Sequence, residues 1–173
     1  MSFESIKEHY RLESYSHSGR TLWTHLNGVY DILCSWNVED AVCVAGLFHS
    51  IYGTEIYQHQ AAQLIDRQKL ASLIGNRAER LSYLFSAIDR KSVWPNVIRN
   101  PSEYKVLDRF TKKIISISQQ EMQDYFTIFL ANLIEQRPHL QTAKNAYVSD
   151  MLMAHSLFHP LIWLQFLKAY ALD

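Results

Sequence analysis

The sequence predicts an all-α protein: a helical bundle with one small β-hairpin at most. Glycine and proline are scarce, five and four in 173 residues, so little material is available for the turns of a many-stranded fold. Apolar residues recur at helical spacing along most of the chain. Hydrophobic residues make up 48% of the sequence, enough to fill one core, and we expect residues 1–173 to form a single domain.

Three helices are predicted in the N-terminal third. The first covers about 2–14. In the second, which is expected to stop near Trp36, a stripe at helical spacing comprises Leu22, His25, Leu26, Val29, Ile32 and Leu33. The third, "EDAVCVAGLFHSI" at 39–51, is apolar on most sides, and such a helix lies in the middle of a fold.

Helices also dominate the remaining prediction. Two are expected around 68–90, separated near Gly75, because glycine suits a helix C-terminus. The β-favouring stretch "YKVLDRFTKKIISIS" predicts a hairpin around 105–117, with "TKK" as its turn. Ser118 and Glu121 then fit a capping box at the start of a helix over about 119–136. Further helices are expected at about 139–156 and from Pro160 onward.

Charge and hydropathy exclude several classes of function. Seventeen basic and seventeen acidic residues are dispersed along the chain, and the formal net charge is zero. Without a basic cluster, nothing indicates a nucleic-acid partner or an anionic membrane surface. No window reaches the ~18 continuous apolar residues of a membrane span, and the N-terminus lacks the apolar core of a signal peptide. We therefore expect a cytoplasmic protein.

Two histidines are the first candidates for chemistry. His25 and His49 each lie on an apolar helix, and the two helices follow one another in the chain. A single histidine on an apolar face is usually a satisfied core residue. Two on adjacent buried helices shift that balance, because neutral imidazoles are common ligands of divalent metals.

The motifs around these histidines resemble the HD superfamily, and most closely the hydrolase domain of the alarmone (RelA/SpoT-type) enzymes. The resemblance rests on Ser18-Gly19, on His25, and on "AGLFHS" ending in the second histidine and its neighbour. It continues through "LIGNRAERLSYLF" and "FLANLIEQ", and covers about residues 5–137. It implies an HD-like helical bundle, a divalent metal, and removal of pyrophosphate from guanosine tetra- or pentaphosphate.

The sequence departs from that family at the metal ligands. Ser50 stands where the resemblance places the aspartate of His-Asp, and Asn132 stands where it places the last aspartate. The acidic pair that follows His-Asp falls on Gly53 and Thr54. Manganese and magnesium prefer anionic oxygen ligands, so they would be held poorly. We therefore expect that the chain is not a standard alarmone hydrolase.

Two functions remain open. The first is an HD-like hydrolase, or another enzyme, with a rebuilt polar site for a small phosphorylated or anionic substrate. Its candidate catalytic residues are His25, His49, Ser50, Tyr52, Glu55 and Asn132, and its candidate substrate-binding residues are Arg20, His17 and Thr54. The candidate metal ligands are His25 and His49, for zinc, iron or manganese, although a site without metal is favoured. The alternative is a non-catalytic HD-like module that binds a small ligand or a protein.

The last predicted helix raises the question of a protein partner. Trp163, Phe166, Leu167 and Tyr170 fall at helical spacing in "PLIWLQFLKAYALD". These residues are expected to complete the core. If the helix instead packs outward, its apolar face predicts a homodimer interface.

Overall fold

The protein is built mainly from helices, with two short antiparallel strand pairs. The structure, a computed structural model, describes residues 2–17, 19–97, 101–139 and 147–170, without the side chains of Pro95 and Asn96. Its helices are α1 (Phe3–His9), α2 (Leu22–Ser35), α3 (Asp40–Leu47), α4 (Arg67–Ile74), α5 (Asn76–Ala87), α6 (Trp94–Val97), α7 (Gln119–Gln136), α8 (Val148–Met153) and α9 (Pro160–Tyr170). Its strands are β1 (Ser16–His17), β2 (Arg20–Thr21), β3 (Glu103–Leu107) and β4 (Ile114–Ser118).

Four helices form the centre of the structure. Helix α2 packs against α3 and α7, and α5 packs against α3 and α7 from the other side. Gly46 of α3 permits a close approach to α2, because a Cβ at that position would overlap the side chain of Leu33. The two helices that carry the paired histidines therefore lie in direct contact.

Most predicted helices are confirmed, and α7 begins at the capping box formed by Ser118 and Glu121. The predicted break at Gly75 separates α4 from α5. Helix α1 is shorter than the predicted 2–14, because the chain turns at Arg11, whose φ is 52°. Of the helix predicted over 139–156, residues 140–146 lie outside the described part, and α8 occupies Val148–Met153.

Helix α3 ends at Leu47, whereas the sequence predicts a helix to residue 51. After Leu47 the chain continues in tight turns, in which the amide of Ile51 donates to the carbonyl of Phe48. Nδ1 of the His49 ring donates to the carbonyl of Gly46 at 2.7 Å. In a continuing α-helix this carbonyl would accept from the amide of Ser50. The side chain thus supplements the backbone at the end of the helix, where the amide of His49 reaches the same carbonyl only at 3.5 Å.

The predicted hairpin is present as β3 and β4, with Glu103 opposite Ser118 and Leu107 opposite Ile114. Its turn is held by Asp108, whose Oδ1 accepts from the amides of Phe110 and Thr111 at 2.8 and 3.1 Å. The β1–β2 pair was not predicted. It is only two residues long on each side, and its turn contains Gly19 with a φ of 81°.

Replacing Asp108 by alanine is expected to destabilise the protein by about 2–3 kcal/mol, because the buried Tyr83 hydroxyl and two turn amides lose their acceptor. Urea denaturation would measure the loss. Glu103→Ala is the matched control, since it removes an exposed carboxylate from the same hairpin. Equal stability of the two variants would contradict the role assigned to Asp108.

The C-terminal helix α9 buries Ile162, Phe166 and Tyr170 as one stripe, and in this respect it completes the core as predicted. Trp163 stacks on Phe166 with ring centroids 4.9 Å apart. The opposite face leaves Leu161 and other apolar side chains exposed. A homodimer through this helix stays a prediction. Among the described helices, none combines the length and the apolar character needed to cross a bilayer.

Candidate functional site

His25 and His49 face each other inside the protein, and both side chains are almost fully buried. Their Nε2 atoms are 3.3 Å apart, and the rings meet nearly at right angles, with an interplanar angle of 79°. His25 comes from the first turn of α2, and His49 lies just past the end of α3. The structure therefore brings the two predicted metal ligands together.

The outer nitrogen of each ring has its own partner. Nδ1 of His49 lies 2.7 Å from the Gly46 carbonyl, which can only accept, so this nitrogen carries a hydrogen. Nδ1 of His25 lies 2.5 Å from Oε2 of Glu135 on α7. Burial alone opposes ionisation of Glu135, but the hydrogen bond from His25 and the positive charges of His25 and Arg20 outweigh it and lower the pKa of this carboxyl group. The carboxylate is therefore an acceptor, and Nδ1 of His25 donates to it.

These anchors determine what can lie between the two rings. Once Nδ1 of His49 carries its hydrogen, the neutral ring presents a lone pair at Nε2. A second lone pair on Nε2 of His25, only 3.3 Å away, would repel the first. The gap consequently calls for a positive species: either an additional proton on His25 or a metal ion that both rings bind.

Arg20 approaches Glu135 from the outer side of the site. Its Nη2 is close enough to Oε1 of Glu135 to form an ion pair, but the angles at this contact are not those of a hydrogen bond. Nε and Nη2 of Arg20 are both buried, and neither has a hydrogen-bond partner among the residues that the structure describes. The guanidinium adds positive charge to the site and retains donors that an anion could use.

Asn132 and His17 complete the polar cluster. Asn132 lies beside His49, and its side chain opposes the lowering of the pKa of the His49 ring, so the structure brings this predicted residue close to the pair. Gln136 donates to Oδ1 of Asn132 at 3.0 Å and to Nε2 of His17 at 3.3 Å. The His17 ring lies over His25 with centroids 4.3 Å apart. An amide oxygen and a third imidazole thus border the histidine pair.

Burial controls the protonation of two of these histidines. Burial, and then the neighbouring His25, hold the pKa of His49 well below its ordinary value. The same two causes lower the pKa of His17 to about 4. Both rings therefore resist protonation in the folded protein near neutral pH.

The free energy of unfolding is expected to fall as the pH drops from about 6.5 towards 4. In this window His17 and His49 bind protons in the unfolded chain but stay neutral in the folded protein, because folding lowers their pKa values. His17→Gln should flatten this dependence, whereas His155→Gln, which alters an exposed histidine, should leave it unchanged. Urea denaturation between pH 5 and 7 measures the slope. A flat profile in the wild type would contradict the prediction.

Other predicted site residues have partners of their own. The Tyr52 hydroxyl donates to Oε1 of Glu79 at 2.9 Å, and Thr54 Oγ1 accepts from the Tyr57 amide at 2.9 Å. Glu55 accepts from the backbone amide of Arg90 at 3.2 Å. These contacts do not bring Tyr52, Thr54 or Glu55 to the histidine pair. Ser50 is buried and directly follows His49, and its backbone carbonyl accepts from the amide of Gly53 at 2.9 Å. Ser18 lies outside the described part of the chain.

Sequence reasoning missed Glu135 and Gln136. Both lie in the quoted segment "FLANLIEQ", three and four residues after Asn132, and this spacing places them on the same helix face. The carboxylate is accommodated by Gly28 of α2, where a Cβ would lie 2.7 Å from Oε1 of Glu135 and 2.9 Å from its Cγ. The spacing from Asn132 was the available signal, and the glycine opposite could not be identified without the helix crossing.

The fold and this cluster define a mostly helical protein with a buried histidine pair, anchored by a carboxylate and a backbone carbonyl. Residues 8–90 are similar to the family described as a domain of unknown function, DUF6817. The matched segment contains both histidines and ends before α7, which carries Asn132 and Glu135. No curated protein and no solved structure matches the chain significantly.

Proposed function

We propose that the protein is an HD-like enzyme in which His25 and His49 hold one divalent transition metal, and that it hydrolyses a small phosphorylated or otherwise anionic substrate. One observation carries the proposal: the two facing Nε2 atoms require a positive species between them. Two nitrogens bound to a tetrahedral metal at about 2.0–2.1 Å stand about 3.3 Å apart. The separation of 3.3 Å between these atoms fits that geometry.

The outer contacts of the two rings support the same proposal. Metal-bound histidines usually donate their second ring nitrogen to a carboxylate or a backbone carbonyl. His25 donates to Glu135 and His49 donates to Gly46, so both rings have such a partner. The amide oxygen of Asn132, beside His49, is a candidate third ligand. Among the described residues, no set of three His, Cys, Asp or Glu side chains is placed to hold a metal, so the remaining ligands would be Asn132 and water.

The surrounding residues indicate how a substrate would be used. A bound metal would lower the pKa of a coordinated water and polarise a phosphoryl or carbonyl oxygen. Arg20, partly exposed at the outer side of the cluster, would attract and orient the anionic group of the substrate. His17, neutral because its pKa is about 4, would border the site without adding charge. Ser50 and Asn132 stand at the two positions where the alarmone enzymes carry aspartate ligands, and this difference argues against the standard alarmone reaction.

The alternative is a metal-free HD-like module that binds a small ligand or a protein. It is favoured if the positive species between the rings is a proton, with His25 donating from Nδ1 to Glu135 and from Nε2 to His49. In that arrangement every ring nitrogen has a partner and no catalytic water is generated. The two proposals differ in whether the pair takes up metal.

Metal analysis of protein purified without chelator and without a metal-binding tag tests the proposal. We expect about one equivalent of a transition metal in the wild type, and loss of it in His49→Ala, because a single remaining imidazole provides too few ligands. His155→Ala, at an exposed histidine outside the site, should retain the metal. Circular dichroism establishes that the variants fold. Metal-free wild type that also fails to bind added zinc, iron or manganese would refute the metalloenzyme and leave the binding module.

A further inference from the structure

A cavity of about 360 Å³ lies between the start of α3, the first half of α7 and the segment that joins α8 to α9. Its described walls contain none of the residues of the histidine cluster. Pockets that hold small organic molecules have volumes of roughly 300–1,000 Å³, so this cavity is large enough for a small one.

One part of the cavity wall is apolar and already packed. It comprises four side chains that are almost fully buried: Val42, Leu157, Phe158 and Ile162. The ring of Phe158 stacks on Trp163 with centroids 5.8 Å apart, which holds this wall in place. An apolar group of a ligand would therefore meet a preformed surface.

The other part of the wall is acidic. Asp124, whose side chain is only 8% exposed, and the more exposed Glu39 both line the cavity. The guanidinium of Arg77 lies between them, with Nη2 2.7 Å from Oδ2 of Asp124 and Nε 3.0 Å from Oε1 of Glu39. Two carboxylates thus share one cation. His159 also lines the cavity, and its Nδ1 accepts from the amide of Leu161 at 3.3 Å, as a neutral ring does.

The partners of Asp124 do not fully compensate its charge. Gln120 donates to Oδ1 at 3.0 Å, and this amide is neutral. Burial raises the pKa of Asp124, although Gln120 and Arg77 oppose the change. An ionised carboxylate can accept more hydrogen bonds than these two residues supply. A further cation in the cavity would therefore be favoured.

We propose that this cavity binds a small organic cation, an amine whose ammonium group pairs with Asp124 and whose apolar part packs on Phe158 and Ile162. Glu39 adds a second carboxylate on the same wall. The combination selects for charge as well as shape, because a neutral molecule leaves the acidic wall uncompensated and an anion is repelled by it. The proposal is independent of the histidine site.

NMR titration at pH 7.5 with hexylamine, hexan-1-ol and hexanoate tests the choice of ligand, since the three share one apolar chain. Hexylamine should shift the amide resonances of Val42, Thr127 and Ile162, which line the cavity. Hexan-1-ol should bind about tenfold more weakly, because it lacks a charged hydrogen-bond donor, and hexanoate more weakly still. Failure of folded wild type to bind hexylamine, or equal binding of hexan-1-ol, would overturn the proposal.

Variants test the assigned residues. Asp124→Asn keeps the shape of the side chain and should weaken hexylamine about tenfold while leaving hexan-1-ol unchanged. Asp31→Asn, at an exposed position on α2, is the matched control and should bind like the wild type. Gln123→Trp places a large ring in the cavity, keeps both carboxylates, and should weaken hexylamine and hexan-1-ol alike. Circular dichroism establishes that each variant folds.

His49→Ala separates this cavity from the proposed metal site and should bind hexylamine like the wild type. Unchanged hexylamine binding in either Asp124→Asn or Gln123→Trp would contradict the proposed binding mode, whatever the metal content of the protein.

Discussion

Gly28→Ala is expected to disrupt the histidine pair and to destabilise the protein by about 1–3 kcal/mol through overpacking. The added methyl group would lie 2.7 Å from Oε1 and 2.9 Å from Cγ of Glu135. This side chain cannot swing aside without cost, because it is buried and contacts both His25 and Arg20. Thermal or urea unfolding measures the stability, and the ring resonances of His25 in NMR spectra report the loss of its carboxylate partner.

The matched control is Asp31→Ala, an exposed position on the same helix, which should change stability by less than about 0.5 kcal/mol. The double variant Gly28→Ala with Glu135→Ala is a second check, because shortening the carboxylate removes the collision partner. The double variant should be less destabilised than the sum of the two single changes. Additive effects would show that Gly28 and Glu135 do not share the space assigned to them.

Glu79→Ala is expected to have the largest effect on stability, a loss of about 3 kcal/mol, because it leaves a buried hydroxyl and a partly buried guanidinium unpaired. Glu79 accepts from Tyr52 at 2.9 Å and from two nitrogens of Arg67 at 2.6 and 3.0 Å. Burial and then the Glu79 charge raise the pKa of Tyr52, so this hydroxyl remains a donor. Urea denaturation again provides the measurement.

A second ion pair supplies the comparison for Glu79. Glu39 pairs with Arg77 at 3.0 Å, but more than half of its side chain is exposed, and Glu39→Ala should cost no more than about 1 kcal/mol. A loss of similar size in both variants would contradict the argument from burial. Tyr52→Phe then tests whether Tyr52 also belongs to the proposed site: a loss of stability without any loss of the proposed metal binding would assign Tyr52 to the Glu79 network alone.

Much of the fold could be predicted because its signals are local. The capping box at Ser118 and Glu121 and the glycine between α4 and α5 are read from a few neighbouring residues. The end of α3 could not be predicted in this way. It depends on the His49 ring reaching the Gly46 carbonyl, a side-chain contact that competes with the backbone pattern. The two-residue strands β1 and β2 are too short for any alternating pattern to reveal them.

The candidate site could be predicted only in part, for a related reason. His25 and His49 stand out because polar residues in apolar helices are conspicuous in a sequence. Glu135 does not, because a carboxylate near a helix end normally faces solvent. Its burial depends on the close crossing of α2 and α7 at Gly28, which brings together residues far apart in the chain. Such a crossing is a property of the packed structure, and no local sequence pattern around Gly28 or Glu135 predicts it.

The contact between His25 and Glu135 spans 110 positions of the chain, whereas that between His25 and His49 spans 24. Contacts between distant residues are the slower ones to form during folding, because a longer segment must first be brought into place. The histidines can therefore meet through the neighbouring helices α2 and α3, but their carboxylate arrives only when α7 docks. We expect a fragment ending after residue 90, which retains the segment of family similarity, to keep both histidines and lose the partner that orients His25.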